Sequence, residues 1–306
     1  MHDLYAGIDI GGTKIAVVLA DATGRVLARG AGGSPAADGG EAMADAAAGL
    51  VTRLAAQHRL VISAVGVGAA GVIDHETGTI RAASEMFHGW AGFGLSAALE
   101  ARLGVPVRVE NDVNAFLLGE LEWGAAGGDD VLGVMLGTGV GGAFVLDGSL
   151  RHGPHGAAGE IGHTPGYSHL RCTCGQRGHL ETVASGTSLA LRYTERTGLP
   201  VEGAREVAER ARGGDGDAQA VFAAAGRALT LACAGAAGLL DIGIAVIGGG
   251  VAQAWDLLEP AVTATLATDS PISGVPLRIV PGSLGGDAVA LGAASAARSH
   301  LQTPVL

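Results

Sequence analysis

Three short constellations in this sequence combine residue types that do chemistry at spacings that chemistry requires. The first is Asp9-Ile10-Gly11-Gly12-Thr13-Lys14. A turn without side chains lets backbone N–H groups point at phosphate oxygens, Thr13 adds a hydroxyl donor, and Asp9 at the end of an apolar run can hold Mg²⁺ through water. A lone Gly-Gly usually marks only a hairpin turn. The sequence repeats the feature, however, at Gly137-Thr138-Gly139-Val140-Gly141-Gly142, and two such turns in one chain suit a nucleotide held from two sides. Neither is a Walker A loop, because no Gly-Lys-Ser/Thr follows at the right spacing. A third cluster, Gly248-Gly249-Gly250, follows an apolar run and would let an adenosine approach the backbone.

The second constellation is Glu110-Asn111-Asp112-Val113-Asn114-Ala115, between an apolar run and a helical pattern. Asn111 or Asp112 can cap that helix. A carboxylate at a strand end is equally where a phosphotransferase places its base: Asp112 would accept the proton of an attacking hydroxyl while Asn111 fixes that hydroxyl. The third is Gly159-Glu160-Ile161-Gly162-His163, followed by Cys172-Thr173-Cys174-Gly175-Gln176-Arg177-Gly178-His179-Leu180-Glu181. Cys172, Cys174, His163 and His179 make a tetrahedral donor set for a structural Zn²⁺, with no coordination position left for catalysis.

The elements that must position these residues alternate between strand and helix patterns. Strands are predicted at 4–10, 15–19, 26–29, 64–69, 105–109, 131–136, 141–146, 244–247 and 277–280. Helices are predicted at 40–60, 91–103, 113–123, 188–197, 202–211, 218–240, 255–267 and 287–300. The order implies α/β layers, and the repeated hairpin, IDIGGTKIAVV against VMLGTGVGGAFV, implies two similar halves. Residues 1–110 form the predicted small lobe, with the last helix (about 287–300) packing back on it. Residues 111–286 form the large lobe, which holds the cysteine loop.

Composition narrows the function classes. The 306 residues are 48% hydrophobic and 16% charged, which favours a large core over disorder. The formal net charge of −11 has no Lys/Arg cluster to offset it, so nucleic acid and anionic membranes are not expected partners. The apolar stretch 228–251 carries one charge, Asp241, but its Ala and Gly content reads as a buried helix and strand rather than a membrane span. The first residues lack a signal-peptide pattern, and three cysteines, two of them too close for an ordinary disulfide, suit the reducing cytoplasm.

Together DIGGTK, ENDVNA, GTGVGG, AGEIGH and CTCGQRGHLE resemble the ROK family (repressor, open reading frame, kinase), whose members include bacterial glucokinases and N-acetylmannosamine kinases. The resemblance runs over essentially the whole chain. It implies a two-lobed actin-like ATPase fold of ribonuclease H-like halves with an inter-lobe cleft, and an ATP-dependent kinase of a hexose or hexose analogue, acting on the 6-OH. Asp112 matches the family's base, and Asn111, Glu160, His163 and Glu181 its sugar ligands. Gly11, Gly12, Thr13, Thr138, Gly139 and the Gly248–Gly250 cluster match the family's ATP-contacting segments, and Asp9 and Lys14 beside the first hairpin are further cofactor-binding candidates. A homodimer or homotetramer is implied as well. Two departures stand out. His179 replaces a third cysteine at the zinc loop, and Ser84-Glu85 replaces the Pro-Asn of glucose-specific members, which puts Glu85 at the sugar wall and glucose itself in question. Repressors of the family carry an N-terminal helix-turn-helix domain; here the first glycine hairpin begins at Leu4, which favours an enzyme over a regulator. The competing readings are a sugar sensor without catalysis, a kinase of an N-acetylhexosamine or cyclitol, a polyphosphate-dependent kinase, and a zinc hydrolase of acylated sugars.

Overall fold

A computed structural model describes residues 3–84, 86–272 and 274–302. The chain divides into two compact units. One comprises Met1–Gly124, His152–Ala157 and Gly286–Leu306, the other Ala125–Arg151 and Ala158–Gly285.

The first unit is built on a five-stranded sheet. Strands β1 (Leu4–Ile10), β2 (Lys14–Asp21) and β3 (Val26–Gly33) form an antiparallel meander. Helix α1 (Gly40–His58) then leads to β4 (Ala64–Ala69), which pairs parallel to β1. A small hairpin, β5 (Val72–Asp74) and β6 (Thr79–Ala82), precedes α2 (Leu95–Leu103), β7 (Val107–Asn111) and α3 (Asp112–Trp123), giving the sheet order β3-β2-β1-β4-β7. Helix α1 buries Met43, Ala47, Leu50, Val51 and Leu54, a one-sided stripe at helical spacing that covers one sheet face. The C-terminal helix (Ala288–Gln302) packs on β1, β4 and α3. It sits so close that a Cβ at Gly7 or Gly66 would collide with the carbonyls of Ala290 and Ala293. Because α3 packs against this helix, it belongs to the first unit, and the division falls after Gly124 rather than after residue 110.

The second unit repeats the plan. Strands β8 (Val131–Leu136), β9 (Val140–Leu146) and β10 (Ser149–Leu150) are antiparallel neighbours, and β11 (Ile244–Gly248) and β12 (Arg278–Pro281) add parallel to β8, in the order β10-β9-β8-β11-β12. Helices α4 (Glu181–Ala184), α5 (Gly186–Thr197), α6 (Ala204–Arg212), α7 (Gly216–Leu240) and α8 (Trp255–Thr268) surround a core of aliphatic side chains. Helix α7 is long and apolar enough to cross a membrane, yet 56% of its most apolar window is buried within the protein, against α5, α6 and α8. It is a core helix.

Candidate active site

In the first unit, β1 and β7 flank β4, and the registers align Asp9 with Gly68 and Gly68 with Glu110. The strand ends therefore deliver Asp9, Asn111 and Asp112 to one edge of the sheet. Ile10 pairs with Ile15, and Gly11 N–H donates to the Lys14 carbonyl at 3.0 Å, which closes the first glycine hairpin. Gly12 lies under the Met86 sulfur, so any Cβ there would clash with it. Asp9 is half-buried. Burial, reinforced by the charge of Asp112 and opposed by Lys14, pushes its pKa up to about 7. A divalent cation at Asp9 would relieve the repulsion from the Asp112 charge.

Asn111 caps α3: its Oδ1 accepts the Val113 and Asn114 amides at 2.8 and 3.3 Å, and its Nδ2 donates to the Gly71 carbonyl at 3.0 Å. Capping and ligand binding do not compete here, since the amide carries a second N–H. Asp112 opens the helix and accepts from the Val113 amide at 3.0 Å. Glu85, the expected sugar-wall residue, lies outside the described residues. Trp90, fully buried, stacks between Phe87 and Phe93 and donates from Nε1 to the Ala70 carbonyl at 3.1 Å.

In the second unit, Leu136 pairs with Val140, and Gly137 N–H donates to Gly139 O at 2.9 Å, so the second hairpin also closes on a glycine amide, across a loop one residue shorter than the first. Beside it lies a cavity of about 840 Å³, within the range of small-molecule sites. Gly137 and Thr138 form one wall. Gly186 and Thr187 at the start of α5 form another, with Glu202, Arg205 and Gln253 at other points of the lining. Helix α5 begins after Ser185, whose hydroxyl caps Ser188 N–H at 3.1 Å, and Gly186 N–H donates to the Gly137 carbonyl at 2.7 Å, which ties the helix start to the glycine hairpin. Of the third glycine cluster only Gly250 lines the cavity. Gly249 has φ +86° and touches the backbone of Leu136, so its freedom serves a turn against β8. The polar residues of α5 and α6 were not foreseen; the Ser185-Gly186-Thr187 helix start is the sequence signal that points to them.

His163, Cys172, Cys174 and His179 also converge in this unit, with donor atoms all within 4.8 Å of one another. Cys174 Sγ lies 3.3 Å from His179 Nδ1, and the two imidazoles meet edge-to-face. The tight loop forms as Cys172 N–H donates to Gln176 O and Gly175 N–H to Cys172 O, with Gly175 and Gly178 at positive φ. Two thiols and two imidazoles at this separation fit a tetrahedral zinc. Around them, His163 Nδ1 lies 3.0 Å from Glu160 Oε2, which fixes the ring. Glu181 links the loop to the hairpin: Oε2 accepts Val140 N–H at 3.0 Å and Oε1 the Thr173 hydroxyl at 2.9 Å.

The ROK family model matches residues 5–300. The chain is 35% identical to a glucokinase of Halalkalibacterium halodurans, over 94% of this chain and 93% of that one. It is 33% identical to an N-acetyl-D-glucosamine kinase of Escherichia coli, over 91% and 92%. Among solved structures, it superposes with a TM-score of 0.84 on a ROK family glucokinase from Streptomyces griseus in complex with glucose and AMPPNP, at 31% identity, covering 97% of this chain and 99% of that one. The fold is thus that of ROK sugar kinases, the two-lobed actin-like ATPase fold.

Proposed function

The chain belongs to the ROK family and is an ATP-dependent sugar kinase, and we propose that it transfers the γ-phosphoryl group to the 6-OH of a hexose or hexose analogue with Asp112 as general base. The observation that carries this reading is Asp112 itself, at the end of β7 and close enough to Asp9 for their charges to interact. Asp112 takes the proton of the acceptor hydroxyl as its oxygen attacks phosphorus, and the second N–H of Asn111 orients that hydroxyl. Positioning and charge stabilisation supply most of the acceleration in such transfers, and a well-placed base contributes about 10²–10⁴. Glu160, His163 and Glu181 are the further sugar ligands by the ENDVNA, AGEIGH and CTCGQRGHLE correspondence. In the first unit Gly11, Gly12, Thr13 and Lys14 serve the phosphates. In the second, Thr138 and Gly139 do so, and the cavity beside Gly250 takes the nucleoside. Mg²⁺ bound with ATP supplies charge neutralisation, and Asp9 is the residue placed to hold it through water.

Zn²⁺ on His163, Cys172, Cys174 and His179 supplies order rather than chemistry. The loop between His163 and His179 has few aliphatic side chains, and a metal would fix Glu160, His163 and Glu181 in the positions a sugar needs. The working form is a cytoplasmic homodimer or homotetramer by family correspondence.

A carboxylate at position 85 only accepts hydrogen bonds, whereas the amide of glucose-specific members also donates. Glucose is therefore not the preferred acceptor, and kinship with both a glucokinase and an N-acetyl-D-glucosamine kinase leaves amino sugars in the field. Coupled ADP release against a panel of hexoses, N-acetylhexosamines and cyclitols tests both points. The expected outcome is ATP-dependent turnover with a sugar other than glucose highest in kcat/KM. Glucose ranked first would refute the specificity, and no sugar-stimulated ADP release would refute the activity.

A further inference from the structure

Glu110, on β7 immediately before Asn111 and Asp112, is a carboxylate only 3% exposed, and the transfer described above gives it no task. A buried charge persists only when fully paired. Both of its oxygens are occupied. Oε1 accepts from Arg108 Nε and Nη2 at 3.2 and 3.1 Å, and Oε2 lies 2.8 Å from His152 Nε2. Burial resists its ionisation, but the hydrogen bond and charge of His152, with Arg108, outweigh it and hold the pKa below the usual carboxylate range. The other face of the His152 ring lies flat on His75, with centroids 4.1 Å apart and planes 6° from parallel. His152 is therefore held from two directions.

The place of His152 in the chain gives this pair its consequence. His152–Ala157 is a six-residue stretch of the first unit set between two stretches of the second. It is pinned at its far end too: Gly156 has φ +72°, and a Cβ there would stand 2.8 Å from the Ile73 carbonyl of β5. Glu160 follows three residues after Ala157 and His163 three further on. One imidazole thus ties β7, which ends at Asn111 just before Asp112, to the His152–Ala157 stretch that precedes Glu160 and His163 in the chain.

We infer that His152 and Glu110 are positioning residues for the acceptor: their bond pins the His152–Ala157 stretch to β7 directly beside Asn111 and Asp112, and so sets how those two residues meet the sugar. The inference rests on the sugar-kinase reading. Its test measures acceptor KM, ATP KM, kcat and melting temperature for His152→Ala, His152→Gln and His75→Ala with the best acceptor of the panel. Misplacing a binding group by a fraction of an ångström is costly, so His152→Ala should raise acceptor KM about tenfold or more while ATP KM stays within about twofold. His152→Gln, whose amide still donates to Glu110, should recover most of the loss. His75→Ala, which removes only the stacking partner, should shift acceptor KM in the same direction by less; if His152→Ala does not fold, these two variants decide. An active wild type with unshifted acceptor KM in the variants, or with both KM values rising together, would overturn this inference alone. A wild type inactive on every sugar would overturn the kinase reading and this inference with it.

Discussion

Asp9 is next to last in β1 and Asp112 is the first residue beyond β7, the two strands that flank β4, and the charge of Asp112 adds to burial in pushing the Asp9 pKa up to about 7. This relationship has a measurable thermodynamic sign. In the unfolded chain Asp9 loses its proton in the ordinary carboxylate range, whereas the folded protein keeps it until about pH 7. Between those values the folded state binds more protons, so metal-free protein should lose stability as pH rises through this window and level off above it. Asp9→Asn should remove that slope and melt higher than wild type at pH 8 in EDTA, at the expense of activity with Mg²⁺. Melting curves from pH 4 to 8 that are superimposable in slope for the two proteins would contradict the assignment.

Gly249 and Gly250 are neighbours with opposite expected behaviour. Gly249 is in the left-handed region against the Leu136 backbone, so Gly249→Ala should lower the melting temperature, by the order of 1–3 kcal/mol of stability. Gly250 has no atom within 4 Å of its would-be Cβ and lines the 840 Å³ cavity. Gly250→Val should leave stability nearly unchanged and raise ATP KM several-fold, with little effect on acceptor KM. Unaltered ATP KM in Gly250→Val would remove the cavity from the nucleotide site.

Elemental analysis should find one zinc per chain, lost or weakened in Cys174→Ala and His179→Ala. These variants should lose sugar affinity more than ATP affinity, because Glu160 and Glu181 hydrogen-bond within the metal loop while the cavity is lined by α5, α6 and the Gly250 turn. Metal-free protein that binds sugar normally would show that the loop orders itself.

Much of this was legible in the sequence because it rests on local rules. The hairpin repeat marked by Gly11-Gly12 and Gly137-Thr138-Gly139 emerged as two sheets of the same strand order, since a glycine turn between apolar runs has few other solutions. The Cys172–His179 spacing foretold convergence with His163 because only a loop closed by glycines can satisfy it. Strands β5 and β6 were not read, as three- and four-residue strands give no period, and their pairing depends on the turn at Gly78. The place of helix α3 in the first unit is not legible locally, because its partner is the C-terminal helix, 165 or more residues away in sequence, and no local pattern encodes that packing. The role of Glu110 was invisible for the same reason: His152 and His75 meet it only in the fold.

Asp112 is the proposed proton acceptor of the ATP-dependent sugar phosphorylation. Asp112→Asn keeps the shape of the side chain and its place at the head of α3 but removes its basicity. Steady-state ADP release with saturating ATP and the best acceptor should fall at least about 10²-fold in kcat, while ATP affinity and melting temperature stay near wild type. A folded Asp112→Asn protein that turns over at close to the wild-type rate would contradict the central claim.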